Sequence, residues 1–308
     1  VKIRKAIIDS DTATDDTIAI LIALKYFKLL GVTIVAGNVE FEDQVKNALY
    51  TLEYFGADNV NVYLGAKRPI LGIWKYAKEV HGDNGLSNWV VRPTRKPSNE
   101  NAIDLIIKLA REYQGELEVL AISPLTNIAL AYLKNPEIVD MIKKLWIMGG
   151  AVQKGNVTPI AEYNFWVDPE AAKIVLSAGF NITLVTWDLA EKYGLIAIED
   201  WEKIKKMNTK SSIFFINSNI SLLNYTISKQ SLNGSIHPDS LTVVIASFPE
   251  IIKKSKMVYA DVELCSNSRG ALLVDWYNLT GNKPNIELVL EIDYYKFKEV
   301  LFEILSSN

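Results

Sequence analysis

The sequence predicts an α/β fold, a mostly parallel sheet covered by helices on both faces, Rossmann-like and forming a single domain over residues 1–308. Three observations predict it. Short apolar, β-branched runs alternate with segments of helical periodicity through most of the chain. The residues that follow several of those runs are polar. No internal repeat, low-complexity tract or linker divides the sequence.

Residues 3–8 read as a short buried strand, and residues 16–28 as a helix with Ile18, Leu21 and Ile22 on its apolar side. A second strand is expected at residues 32–36, then a helix through Gln44, Leu49, Leu52 and Phe55 that Gly56 ends. Further strands are expected at residues 60–64, 117–122, 145–148 and 182–185. From residue 201 to 233 the pattern turns helical without clear strands, which suggests a helical lobe near the site. In a sheet of this kind ligands sit beyond the carboxyl ends of the strands. Those positions read Asp9-Ser10-Asp11, Gly37-Asn38, Ser123-Pro124-Leu125-Thr126-Asn127 and Gly149-Gly150.

Composition narrows the function. With 36 acidic and 33 basic residues there is no overall positive field for nucleic acid, and Lys203, Lys205, Lys206 and Lys210 read as the wet side of a helix. The apolar stretch at residues 17–24 falls far short of the ~20 residues a membrane span needs. Cys265 is the single cysteine, so no intrachain disulfide forms; it is expected to be a buried thiol, and a cytoplasmic location is expected.

Asp9, Asp11, Asp15 and Asp16 gather four carboxylates where a strand meets a helix. Such crowding is costly unless a cation, bound protons or a helix N-terminus compensates. Helix capping accounts for one or two of them. An all-oxygen set without clustered His or Cys suits a hard ion, calcium or magnesium.

The segment Ile7-Ile8-Asp9-Ser10-Asp11-Thr12-Ala13-Thr14-Asp15-Asp16 resembles the N-terminal fingerprint of the inosine-uridine-preferring nucleoside hydrolases, with Thr12 and Ala13 where that family usually has Pro-Gly. Further segments resemble the family in order: Val35-Ala36-Gly37-Asn38-Val39, His81-Gly82-Asp83-Asn84-Gly85-Leu86, Met148-Gly149-Gly150, Gly155-Asn156, Ala161-Glu162-Tyr163-Asn164, Asp168-Pro169-Glu170-Ala171-Ala172 and Ile236-His237-Pro238-Asp239. The likeness runs to about residue 249.

The resemblance implies hydrolysis of the bond between ribose and nucleobase in ribonucleosides, with calcium as cofactor and a homo-oligomeric assembly. It implies metal ligation by Asp11, Asp16 and Asp239 with a backbone carbonyl of Leu125 or Thr126. Asp11 would also activate the attacking water as general base. Asp15, Asn38, Asn156, Glu162 and Asn164 would contact the ribose hydroxyls, with Met148 beside the sugar. The transition state would have oxocarbenium character, which carboxylates stabilise. His81 and His237, the two histidines, are both candidates to serve the departing base, although Pro238 separates His237 from Asp239.

Each residue also has a simpler reading. Asn38 and Asn156 suit turns, and Asp168 before Pro169 suits a helix cap. Met148 suits the core. Trp74, Trp89, Trp166 and Trp187 offer indole faces near the leaving group and favour purine nucleosides slightly, although a pyrimidine-preferring enzyme is the alternative and any of the four could be core. Asp9-x-Asp11 after a strand also suits an aspartyl-phosphate phosphatase, but Ala13 stands where that scheme needs Thr or Val. A catalytically silent ribose-binding protein has no need of Asp11 together with Asp239.

Overall fold

A computed structural model describes residues 3–307. Eleven strands are present among them: β1 (Lys5–Ser10), β2 (Lys28–Ile34), β3 (Val62–Leu64), β4 (Leu117–Ala121), β5 (Lys144–Met148), β6 (Ile182–Val185), β7 (Leu195–Ala197), β8 (Gly234–Ile236), β9 (Ile252–Val262), β10 (Leu272–Asp275) and β11 (Ile286–Ile292). Nine form one sheet in the order β10-β9-β11-β6-β5-β4-β1-β2-β3, and β7 and β8 form a separate antiparallel pair. From β11 to β3 every neighbouring pair is parallel; β9 and β10 add an antiparallel edge.

Adjacent residues of β1 show why the sheet is covered twice. Ile7 packs into one apolar cluster with Leu105, Ile128 and Leu176, and Ile8 into another with Ile18, Leu52 and Val244. Side chains alternate across a strand, so a near-continuous apolar run demands cover on both sides. Successive strands run outward from β1 through β2 to β3, and β4 then returns to the other side of β1. That reversal opens a crevice at the carboxyl ends of β1 and β4, the usual place for a ligand in an open α/β sheet.

The structure moves several expected boundaries. The first helix is Thr14–Tyr26, and Phe27 is already extended (φ −126°, ψ 155°). β2 therefore begins at Lys28, which pairs with Lys5, and ends before Val35. No glycine or proline marks that change in the sequence, so the helical pattern reads too far. The helical lobe is two helices, Ile198–Met207 and Lys210–Gln230, separated at the left-handed residue Asn208 (φ 50°). β7 and β8, which bracket the lobe, were not expected. Ala13 adopts an extended conformation (φ −132°, ψ −159°) that alanine takes without strain, so glycine is not needed there. Cys265 is exposed rather than buried. Among the described residues no helix is long and apolar enough to cross a membrane.

Candidate active site

A cavity of about 340 Å³ opens at the crevice. Strand ends supply its floor: Asp11 follows β1, Asn38 follows β2, Ile122 follows β4 and Met148 ends β5. Asn164 comes from the short helix Tyr163–Val167, which Glu162 caps, and Asp239 from the first turn of the helix Pro238–Ser247. Asp15, His81 and Asn156 also line the cavity. Its upper wall comes from Leu222, Tyr225, Thr226 and Gln230 of the helix Lys210–Gln230.

Asp11 is held but not saturated. Its Oδ2 accepts the Asn38 N–H (3.0 Å), and Asn38 Nδ2 donates to the Asp11 carbonyl (3.1 Å). Asp11 Oδ1 is buried with no hydrogen-bond partner in the protein. Burial holds the Asp11 carboxyl well above the usual range, and the nearby Asp16 charge raises it further. Asp239 is raised well above the usual range too, by burial and then by the charges of Asp16, Asp15 and Asp11. Asp16 stands behind these two: its Oδ1 accepts from Ser10 Oγ (2.7 Å) and its Oδ2 from Ala13 N (3.1 Å). Burial pushes its carboxyl up to about 7.

These groups fit a divalent cation. A buried carboxylate oxygen without a donor, beside carboxylates that raise one another, is an arrangement that positive charge stabilises, and all the donors are oxygens. Among the described residues no three His, Cys, Asp or Glu side chains are drawn into a closed coordination shell.

Asp15 is differently engaged. Its Oδ2 accepts the Asp239 N–H (2.7 Å) and the Ser240 N–H (3.3 Å), and its Oδ1 accepts the Ser240 hydroxyl and meets His237 Nδ1 (3.0 Å). Asp15 therefore ties the first helix to the helix that carries Asp239. His237 Nε2 meets Ser235 Oγ (2.6 Å), and the ring stacks on Phe215 at 5.3 Å. With no exposed surface and both ring nitrogens engaged, His237 does not reach the cavity. The expected service of His237 to the leaving base is not supported by this placement; Pro238 lines the wall there instead.

The expected carbonyl ligands are also misplaced. Neither Leu125 nor Thr126 lines the cavity; the Leu125 carbonyl accepts the Ala129 N–H (2.9 Å) and the Thr126 hydroxyl donates to Asp168 Oδ2 (2.6 Å). The carbonyl at the cavity is that of Ile122, which Asn164 Nδ2 approaches at 3.4 Å. Ile122 is the first residue past β4, so the strand-end rule could have found it, but a carbonyl leaves no signature in residue type.

The other expected residues are brought together. Glu162 accepts backbone N–H groups of Asn164 (2.9 Å), Phe165 (3.2 Å) and Gly150 (3.0 Å), and burial against these bonds pushes its carboxyl up to about 7. Gly150 reaches Glu162 from a left-handed conformation (φ 72°) that favours glycine. Asn164 Nδ2 donates to the Met148 carbonyl (3.1 Å), and Asn156 Oδ1 accepts the Tyr163 N–H (2.9 Å). His81 Nδ1 meets Thr14 Oγ1 (2.7 Å), and burial pushes the imidazole down to about 4. Asp168 caps the helix Pro169–Ser177 through Ala171 N (3.0 Å), as its place before proline suggested. Asp9 turns away from the cavity: it accepts from Thr33 Oγ1 (2.6 Å), Asn127 Nδ2 (2.8 Å) and Ser123 Oγ (3.1 Å).

Of the four tryptophans, Trp166 and Trp187 line the cavity and Trp74 and Trp89 do not. Trp74 Nε1 donates to the Gly37 carbonyl (3.1 Å), and Trp89 packs edge-on against Tyr50, Tyr54 and Phe214. Tyr76, Tyr163 and Tyr225 line the cavity and were missed by sequence reasoning.

A parallel sheet covered on both faces, with an oxygen-rich cavity at its switch point, has the layout of an α/β enzyme acting on a small polar ligand. Residues 6–299 match the family model described as inosine-uridine preferring nucleoside hydrolase, and the chain belongs to that family. The pyrimidine-specific ribonucleoside hydrolase RihA of Escherichia coli O1:K1 is 32% identical over 304 residues, covering 97% of each chain. The structure of a purine-preferring ribonucleoside hydrolase from Gardnerella vaginalis superposes with a TM-score of 0.92 at 30% identity, covering 98% of each chain. A plant nucleoside hydrolase, PpNRh1, superposes with a TM-score of 0.93 at 28% identity, covering 99% of each. The chain is thus a ribonucleoside hydrolase by family.

Proposed function

We propose that this hydrolase uses calcium, takes Asp11 as its general base and favours purine nucleosides slightly. The observation that carries the reading is the buried Asp11 Oδ1, which has no partner in the protein and lies at the cavity. Asp11, Asp16, Asp239 and the Ile122 carbonyl would hold the ion. Bound calcium supplies a centre of positive charge that orients sugar hydroxyls and acidifies the attacking water.

The residues then divide the work. Asp11 takes a proton from water as the oxygen bonds to C1′ of ribose, the C1′–N bond breaks, and its electron pair leaves with the base. Asn38, Asn156, Glu162 and Asn164 orient the ribose, with Met148 beneath it. Asp15 positions Asp239 rather than contacting sugar alone. His81, neutral at pH 7, hydrogen-bonds the leaving base from the wall. Trp166 and Trp187 supply broad faces for a fused ring system.

The named relatives include one pyrimidine-specific and one purine-preferring enzyme, so the purine preference rests on these two indoles. A homo-oligomer and a cytoplasmic place of action belong to the same proposal, the latter supported by the single, unpaired cysteine. Release of free ribose from inosine, adenosine, guanosine, uridine and cytidine, with calcium and with a chelator, tests it. A preference for uridine or cytidine of about tenfold, ~1.4 kcal/mol, ends the purine reading. Full activity in chelator ends the calcium reading.

A further inference from the structure

Gln44 lies on the helix Phe41–Tyr54 with no exposed surface. A primary amide is costly to bury unless both of its ends find partners. Gln44 finds them outside its own helix, in the turn that follows β2. Its Nε2 donates to the Val35 carbonyl (2.6 Å), and its Oε1 accepts the Gly37 N–H (3.2 Å) and the Val39 N–H (3.4 Å). The side chain thus spans the turn from its first residue to its last. Other parts of the chain grip the same turn elsewhere: the Gly37 carbonyl accepts from Trp74 Nε1 (3.1 Å) and from the Tyr163 hydroxyl (2.9 Å), and the Asn38 carbonyl accepts the Ala77 N–H (2.7 Å).

What the turn carries is the support of Asp11. Asn38 stands between the two N–H groups that Gln44 binds; its own N–H meets Asp11 Oδ2 (3.0 Å) and its Nδ2 meets the Asp11 carbonyl (3.1 Å). Gly37 lies so close to the carboxylate that a Cβ there has no room. A shift of the turn is therefore passed directly to Asp11. An apolar side chain of similar length would fill the space of Gln44, but the Val35 carbonyl and the Gly37 and Val39 N–H groups would then have to move to find other partners. We propose that Gln44 is a positioning residue for the hydrolytic step: it does not line the cavity, and it fixes the turn that aims the Asp11 carboxylate at the attacking water. The inference rests on the reading of Asp11 as general base.

The test is a double-mutant cycle read as ribose release from the best nucleoside under saturating calcium. Gln44→Met keeps the length of the side chain without its hydrogen bonds and should lower kcat by about tenfold to a hundredfold, the scale of a reacting group displaced by about 1 Å. In an Asp11→Asn background, where the base is already gone, the same change should cost no more than about twofold, because one contribution cannot be lost twice. Leu52→Ala, a core truncation on the same helix, supplies the comparison: it should lower the thermal midpoint and leave kcat within about twofold of the parent. Gln44→Ser leaves space for water to reach the three backbone groups, and it enters the same cycle if Gln44→Met does not fold. A folded Gln44 variant with parent-like kcat overturns the proposal, as does an equal loss in both backgrounds or an equal loss in Leu52→Ala. Turnover of Asp11→Asn within about threefold of the parent refutes the general-base reading itself, and the proposal with it.

Discussion

Gly37 leaves room for Asp11: a Cβ on residue 37 would stand 2.0 Å from Asp11 Oδ2. The φ of Gly37 is not in the left-handed region, so space rather than conformation requires the glycine. The Asp11 carboxylate therefore sits against bare backbone, pinned by the Asn38 N–H, with its second oxygen at the cavity.

Asp11→Asn is expected to fold normally, because an amide oxygen can still accept the Asn38 N–H. Removing the general base should lower kcat by ~10²- to 10⁴-fold, whereas turnover within about threefold of the parent refutes the assignment. Ribose release and a thermal melt on the same preparation check both halves.

Asp239→Ala removes a carboxyl that burial, and then the charges of Asp16, Asp15 and Asp11, hold well above the usual carboxylate range. Less repulsion should leave the fold intact, while calcium is held more weakly, by at least the ~10- to 100-fold that loss of an outer partner causes. Activity should return in part as calcium is raised. A calcium titration identical to that of the parent contradicts the ligand assignment.

His81 links pH to stability. Its imidazole is pushed down to about 4 by burial, with Asp15 pulling the other way. The unfolded chain therefore takes up a proton first as pH falls below about 6.5. The contribution of neutral His81 is present above that pH and is lost as pH falls towards 4. His81→Gln should flatten the fall of the thermal midpoint across this window, with metal held saturating. Equal slopes for parent and variant rule the effect out.

Trp166 and Trp187 should separate from Trp89. Replacing either cavity tryptophan by alanine should cut purine kcat/KM relative to pyrimidine by about fivefold, ~1 kcal/mol of stacking. Trp89→Ala should leave that ratio unchanged and lower stability by about 3 kcal/mol, because Trp89 packs on Tyr50, Tyr54 and Phe214. Near-neutral ratios for Trp166→Ala and Trp187→Ala remove the stacking argument even if purines are preferred.

The parallel core was legible because β1, β4, β5 and β6 are apolar runs ended by polar residues. The carboxylate cluster was legible because Asp11, Asp15 and Asp16 are close in sequence and expensive together. The antiparallel edge was not legible: β9 has exposed residues along its first half and reads as neither clearly buried nor alternating. The Ile122 carbonyl was hidden because backbone oxygen is common to all residues. Trp89 and Trp166 look alike in sequence, and only the tertiary packing of Trp89 on Tyr50, Tyr54 and Phe214 separates core indole from cavity indole. The place of His237 was half legible: Pro238 separates it from Asp239, and the ring turns inward to Ser235 and Asp15.

That inward turn makes the site depend on joining distant parts of the chain. Asp15 and the Asp239 N–H it holds are 224 residues apart in the chain, and His237 reaches Asp15 across 222. Contacts of such separation close large loops and carry their entropic cost before any reward arrives. A growing chain that has completed β1 through β6 has most of its parallel sheet but lacks Asp239 and the bracket that holds Asp15. Catalytic competence therefore reports on both halves of the polypeptide at once, and a molecule misassembled in either one is silent.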